Sequence, residues 1–189
     1  MDAEQGSKQS QWKTILKMIS NPGEAVKKKM TLVPWPYALL ISGLSFTLFF
    51  LQTGIDLYRV GNIGIERVIL IVMIGLFYGT AGVTLLAIMS WVLAQAGKRE
   101  YSIDWAISNF ALGYTVALIY SICGLLFSLV FNWNTAVAFG ITGVLWSLRP
   151  TMFTIKQMSG DATAFSIVLT TICGAIMLFG WGLLGRFGF

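Results

Sequence analysis

"VILIVMIGLFYGTAGVTLLAIMSWVLA", Val68 to Ala94, runs without a single charged residue. A helix crossing a bilayer needs roughly 20 predominantly apolar residues at about 1.5 Å rise each, and this stretch exceeds that length. In hydrocarbon an isolated run must bond its own peptide groups, so helix is the workable backbone.

The same pattern recurs on both sides. Upstream, "DLYRVGNIGIER" (residues 56–67) separates it from an earlier span, about Trp35 to Ile55. Downstream, "QAGKREYSID" (residues 95–104) leads to a third span, about Trp105 to Val130, which turns at "FNWN". So short a connection joins antiparallel neighbours. The fourth span begins near Trp133 and is apolar as far as Leu148, so it is expected to continue past Arg149 and Pro150 toward Ile155, with Arg149 snorkelling to the head groups. Pro150 is expected to kink or end it. A fifth span, about Ala162 to Leu184, follows "SGDAT", where Ser159 or Asp161 can cap the helix.

Composition agrees with this pattern. Apolar residues make up 56% of the 189, charged residues 11%, whereas a soluble domain carries about a quarter charged. The expected fold is an all-α polytopic membrane protein: a cytoplasmic N-terminal segment (residues 1–33) and a five-helix transmembrane domain (residues 34–189).

The positive-inside rule orients such a chain. With the N-terminus in the cytoplasm, Lys8, Lys13, Lys17, Lys27, Lys28, Lys29, Lys98, Arg99, Arg149 and Lys156 lie inside, against Arg59, Arg67 and Arg186 outside. The C-terminus is then outside. Lys27, Lys28, Lys29, Lys98, Arg99, Arg149 and Lys156 are expected to form a basic cytoplasmic surface facing an anionic leaflet, at about 1 kcal/mol per side chain.

Ahead of the lysines, Trp12, Ile15, Leu16 and Ile19 recur at helical spacing, with Lys13 and Lys17 on another face. This predicts a short amphipathic helix that lies in the head-group region or docks on the protein's own cytoplasmic face or on a partner. Asn21, Pro22 and Glu24 read as a cap, a first-turn proline and a capping-box acid of a second short helix toward Met30. No cleavable signal peptide is expected, because the first apolar run starts late and runs long.

Chemistry-bearing groups are few. The chain has no histidine, no Walker loop and no dinucleotide fingerprint, and its two cysteines, Cys123 and Cys173, fall inside spans. No catalytic, metal or cofactor site is expected, and no nucleic-acid partner. The span cores carry no Asp, Glu, Lys or Arg. Ser42, Ser45, Thr47, Gln52, Asn109, Tyr114 and Tyr120 are the polar groups that could bond a neighbouring helix or meet a solute.

Small residues recur at packing intervals: Gly75 and Gly79; Gly113, Ala117 and Ser121; Ala136 and Gly140; Ser166, Thr170 and Gly174. Such faces let helices approach closely, within the bundle, between copies in a homo-oligomer, or against another membrane protein.

The segment "NPGEAVKKKM" before five spans, with the block "GVLWSLRPTMFTIKQMSGDATAFSIVL" (residues 143–169) joining the fourth and fifth, resembles the Yip-domain family of Rab-interacting membrane proteins. The resemblance rests on Asn21-Pro22, on Trp146 and Leu148, and on Gly160 with Ala164. It suits a prokaryotic member and implies a non-enzymatic adaptor in membrane trafficking or transport-complex assembly. The alternative is a small permease for an uncharged or apolar solute, using Asn109 or Tyr114.

Replacing Lys27, Lys28 and Lys29 together by glutamine is expected to produce a population with mixed orientation. Labelling of a C-terminal tag from each side of the membrane measures it.

Overall fold

The computed structural model describes residues 2–27, 33–94 and 101–184, with side chains from residue 11 onward. Within them the elements are α1 (Asp2–Ser20), α2 (Pro22–Val26), α3 (Trp35–Arg59), α4 (Ile65–Phe77), a π-helical turn (Tyr78–Gly82), α5 (Val83–Ala94), α6 (Ile103–Gly113), α7 (Thr115–Phe131), α8 (Ala136–Met158) and α9 (Thr163–Leu184). No strand is present among the described residues.

Five helical stretches are long and apolar enough to cross a membrane: Trp35–Arg59, Ile65–Ala94, Ile103–Phe131, Ala136–Met158 and Thr163–Leu184. Large apolar side chains such as Phe77, Val130 and Phe179 face outward on them, an arrangement stable in lipid and not in water. The protein is an integral, multi-pass membrane protein.

α3 stands at the centre of the bundle, packed on α4, α6, α7 and α8. Its approach to the second span is close because both partners lack side chains there. A Cβ on Gly79 would lie 2.6 Å from the Ser42 carbonyl oxygen and 2.9 Å from the Gly43 Cα, and one on Gly75 would lie 2.6 Å from the Phe50 Cβ. At Gly79 the two backbones meet, a crossing of the small-xxx-small kind, and at Gly75 the Phe50 side chain fills the space. From α3, Phe46 reaches the ring of Tyr78 at 5.3 Å and that of Tyr114 at 5.2 Å, both edge-on.

Two spans are irregular where the sequence suggests continuous helix. The second changes pitch through Tyr78–Gly82. The third breaks at Tyr114, whose N–H donates to the Ala111 and Leu112 carbonyls. At each irregularity a main-chain carbonyl accepts a side-chain donor from α3. Ser42 Oγ donates to the Gly79 carbonyl at 2.7 Å, and Ser45 Oγ to the Tyr114 carbonyl at 3.1 Å.

Pro150 does not end the fourth span. α8 continues to Met158, and hydroxyls bond the carbonyls around the proline: Thr151 Oγ1 donates to Ser147 at 2.9 Å and Thr154 Oγ1 to Pro150 at 2.9 Å.

The N-terminal helices dock on the bundle: α1 touches α6 and α7, and α2 lies on α8 beside Phe153. Met18 and Val26 are buried at this junction. The expected capping box is not formed. Asn21 makes no side-chain cap bond, and Glu24 instead pairs with Lys17 at 3.3 Å.

Gly79→Ala is expected to cost about 2 kcal/mol through overpacking against main chain. Gly182→Ala, with nothing within 4 Å of the added Cβ, is expected to be neutral or slightly stabilising. Unfolding midpoints in detergent compare the two.

Candidate functional site

α3 carries polar groups along one stripe: Ser42, Ser45, Gln52, Asp56 and Arg59. The first three bond neighbouring helices, Gln52 Nε2 donating to the Ser121 carbonyl at 2.8 Å. The last two form a cluster at the end of the bundle away from α1. Sequence reading places Asp56 at a span end and Arg59 in a loop, but α3 runs on through both, and their side chains are only 16% and 23% exposed.

Arg59 Nη1 donates to Ser128 Oγ at 2.8 Å, and Nη2 to the Ser128 carbonyl at 2.8 Å. A longer bond from Nη1 reaches the Trp133 carbonyl at 3.4 Å. The guanidinium thus clamps the end of α7 and the α7–α8 turn, where Asn132 adopts the left-handed conformation that ends α7. Asp56 Oδ2 accepts the Ala136 N–H at 3.2 Å, at the first turn of α8, where a carboxylate is favoured by the helix dipole. Asp56 Oδ1 lies 4.0 Å from Arg59 Nη1, and it is buried with no hydrogen-bond partner. One ion pair thereby fixes where α7 ends and where α8 begins.

Beside Asp56 a groove of about 710 Å³ opens between α8 and α9. Val137, Ile141, Leu145 and Leu148 line one wall, and Thr171, Ala175, Leu178 and Phe179 the other. Trp181 closes the Asp56 end, its Nε1 donating to Thr53 Oγ1 at 3.3 Å and its ring lying over Gly140.

Of the seven residues expected to form a basic surface, three lie among the described residues. Lys27 is exposed just after α2, Arg149 is exposed on α8, and Lys156 is half-buried on α8. α2 seats Gly23 against Phe153, which lies on α8 between Arg149 and Lys156 in sequence. Lys28, Lys29, Lys98 and Arg99 lie outside the described residues. On α1 the apolar face divides. Met18 is buried and Ile15 packs on the core, while Trp12 and Leu16, one turn apart, are 67% and 60% exposed.

The small residues singled out from sequence are all buried. Gly75 and Gly79 meet α3, and Ala117 meets Gly143 on α8. Gly113 faces Pro150 and Thr151, Gly140 lies under Trp181, and Gly174 faces Leu148. Ser121 supplies the carbonyl that Gln52 bonds, Ala136 the N–H that Asp56 accepts, and Ser166 Oγ meets Ser159 Oγ at 3.3 Å. Thr170 Oγ1 is buried without a hydrogen-bond partner. Cys173 Sγ lies 3.5 Å from Ser90 Oγ, and both cysteines are free thiols.

Among the described residues no three His, Cys, Asp or Glu side chains gather where they could hold a metal ion. No family model, curated protein or solved structure matches the chain.

Arg59→Met removes the clamp on α7 and strands the Asp56 carboxylate. It is expected to cost about 2–3 kcal/mol, against about 1 kcal/mol for Ser128→Ala. Denaturant titration in detergent micelles checks the order.

Proposed function

We propose that this protein is a non-enzymatic integral-membrane adaptor of the Yip-domain kind, in a prokaryotic cell membrane, with its N-terminus cytoplasmic and its C-terminus outside. It associates with another membrane protein through its cytoplasmic face, in trafficking or in the assembly of a transport complex. Lys27, Arg149 and Lys156, with Lys28, Lys29, Lys98 and Arg99, provide the basic rim of that face.

The observation that carries this reading is the division of α1. Met18 holds the helix on the bundle, so Trp12 and Leu16 point outward from a fixed support. An outward tryptophan and leucine one turn apart, flanked by the exposed Lys13 and Lys17, match an aromatic anchor with a polar rim, the arrangement that concentrates binding energy in an interface.

The polar interior supports the same reading over a permease. Asn109 Nδ2 is engaged with the Trp105 carbonyl of its own helix at 2.8 Å. Tyr114 is 1% exposed and packed on Phe46. Neither of the two groups that a solute path would use is open.

Crosslinking in the native membrane, purification through a C-terminal tag and mass spectrometry are expected to recover a stoichiometric membrane partner. Trp12→Ala with Leu16→Ala is expected to lose it while the bundle's unfolding midpoint stays unchanged. Undiminished recovery by the double variant, or solute flux in liposomes with no partner, overturns the adaptor reading.

A further inference from the structure

We propose that the α7–α8 turn is an interface anchor: its aromatic rings seat in the head-group region of the bilayer, and lipid, not water, covers the turn.

Charge is the first reason. From Trp105 to Leu148 the chain carries no Asp, Glu, Lys or Arg, so the third span, the turn and most of α8 meet lipid with no charged group to desolvate. The connection beside it differs. Asp56, Arg59, Glu66 and Arg67 flank the link between α3 and α4. Arg59 bonds Ser128 and the Trp133 carbonyl, so both connections lie at one end of the bundle.

Length is the second reason. α8 covers about 20 Å from Ala136 to Arg149 and about 30 Å to Lys156, and the hydrocarbon core is about 30 Å thick. With Lys156 at one boundary, the turn reaches no further than the other. Helix tilt, or any movement of Arg149 toward its own head groups, draws the turn deeper.

The rings are the third reason. Phe127, Phe131 and Trp133 pack on one another with centroids 5.4 to 5.8 Å apart. Phe131 and Trp133 are nonetheless more than half exposed, and Leu129, Val130 and Val137, close to them in the chain, are exposed as well. The Arg59 bond to the Trp133 carbonyl and the left-handed Asn132 hold this face in place. A fixed aromatic cluster of this kind is unfavourable in water and favoured at the boundary between acyl chains and head groups.

The test uses the full chain, purified and reconstituted in phosphatidylcholine vesicles. Asn134→Cys, in the turn, is compared with Asn62→Cys, in the α3–α4 connection. Both side chains are exposed in the protein, so burial by protein does not separate them. The unaltered chain, whose two cysteines lie in spans, gives the background. A membrane-impermeant maleimide is expected to label Asn134→Cys about tenfold more slowly, because a thiolate forms poorly away from water. A bimane at Asn134→Cys is expected to be quenched by phosphatidylcholine carrying a nitroxide near the top of its acyl chain, and one at Asn62→Cys to be quenched less. Adding Phe131→Lys and Trp133→Lys is expected to raise labelling of Asn134→Cys to the Asn62→Cys rate. Equal labelling of the two single variants overturns the proposal, and so does slow labelling that persists with both lysines. Protection of Asn134→Cys that fades on dilution of the protein in lipid, or that comes without nitroxide quenching, also overturns it, because a second protein surface then covers the turn.

Discussion

A peptide group inside a bilayer has no water to turn to, so the side-chain donors that reach a neighbouring helix's carbonyls fix how the helices meet. The second span changes pitch at its π-helical turn and the third breaks at Tyr114, whose carbonyl accepts the Leu118 N–H at 2.9 Å; at both places a carbonyl accepts a further donor from α3. Ser42 and Ser45, one turn apart on α3, supply those donors. Gln52, two turns further along, adds a bond to the Ser121 carbonyl. These bonds tie the irregular helices to one regular one. α3 consequently acts as the reference rod of the bundle, and the glycines opposite it bring the carbonyls within reach.

The polar and aromatic contacts reinforce one another. Phe46 lies between the two serine-bonded sites in space, touching Tyr78 on one side and Tyr114 on the other. Tyr78 in turn donates to the Met177 carbonyl of α9 at 2.9 Å. A displacement of the π-helical turn is therefore felt by α3, α7 and α9 together. Isolated apolar packing in lipid has little sidedness, since lipid tails are as apolar as leucine; directional bonds and shape give the bundle a single arrangement.

The five spans were legible because length and the absence of charge suffice to mark them. The glycines of the second span could be read as packing positions, although not as neighbours of Ser42 and Phe50. What sequence concealed depends on tertiary partners. Nothing around Tyr78 or Tyr114 marks a change of pitch, because the donors that tolerate it lie some 35 to 70 residues earlier in the chain. Asp56 and Arg59 read as the start of a loop because charge usually ends a span. Yet their spacing continues the stripe of Ser42, Ser45 and Gln52, and that periodicity was the available signal for an extended helix. Pro150 misleads in the same way: it reads as a stop, yet α8 runs through it to Met158.

From Trp105 to Gly113, α6 is consecutively buried beneath α1, α3, α5 and α8. A helix leaving the insertion machinery normally trades water for lipid, but this stretch is covered by protein among the described residues. Two of its covers, α1 and α3, are synthesised well before it, and α8 well after. α6 must therefore wait, partly covered, for a segment still being made. Synthesis from the first helix to the eighth is thus a single assembly event, in which the inner half of the third span becomes native only when the N-terminal helix and the fourth span close over it.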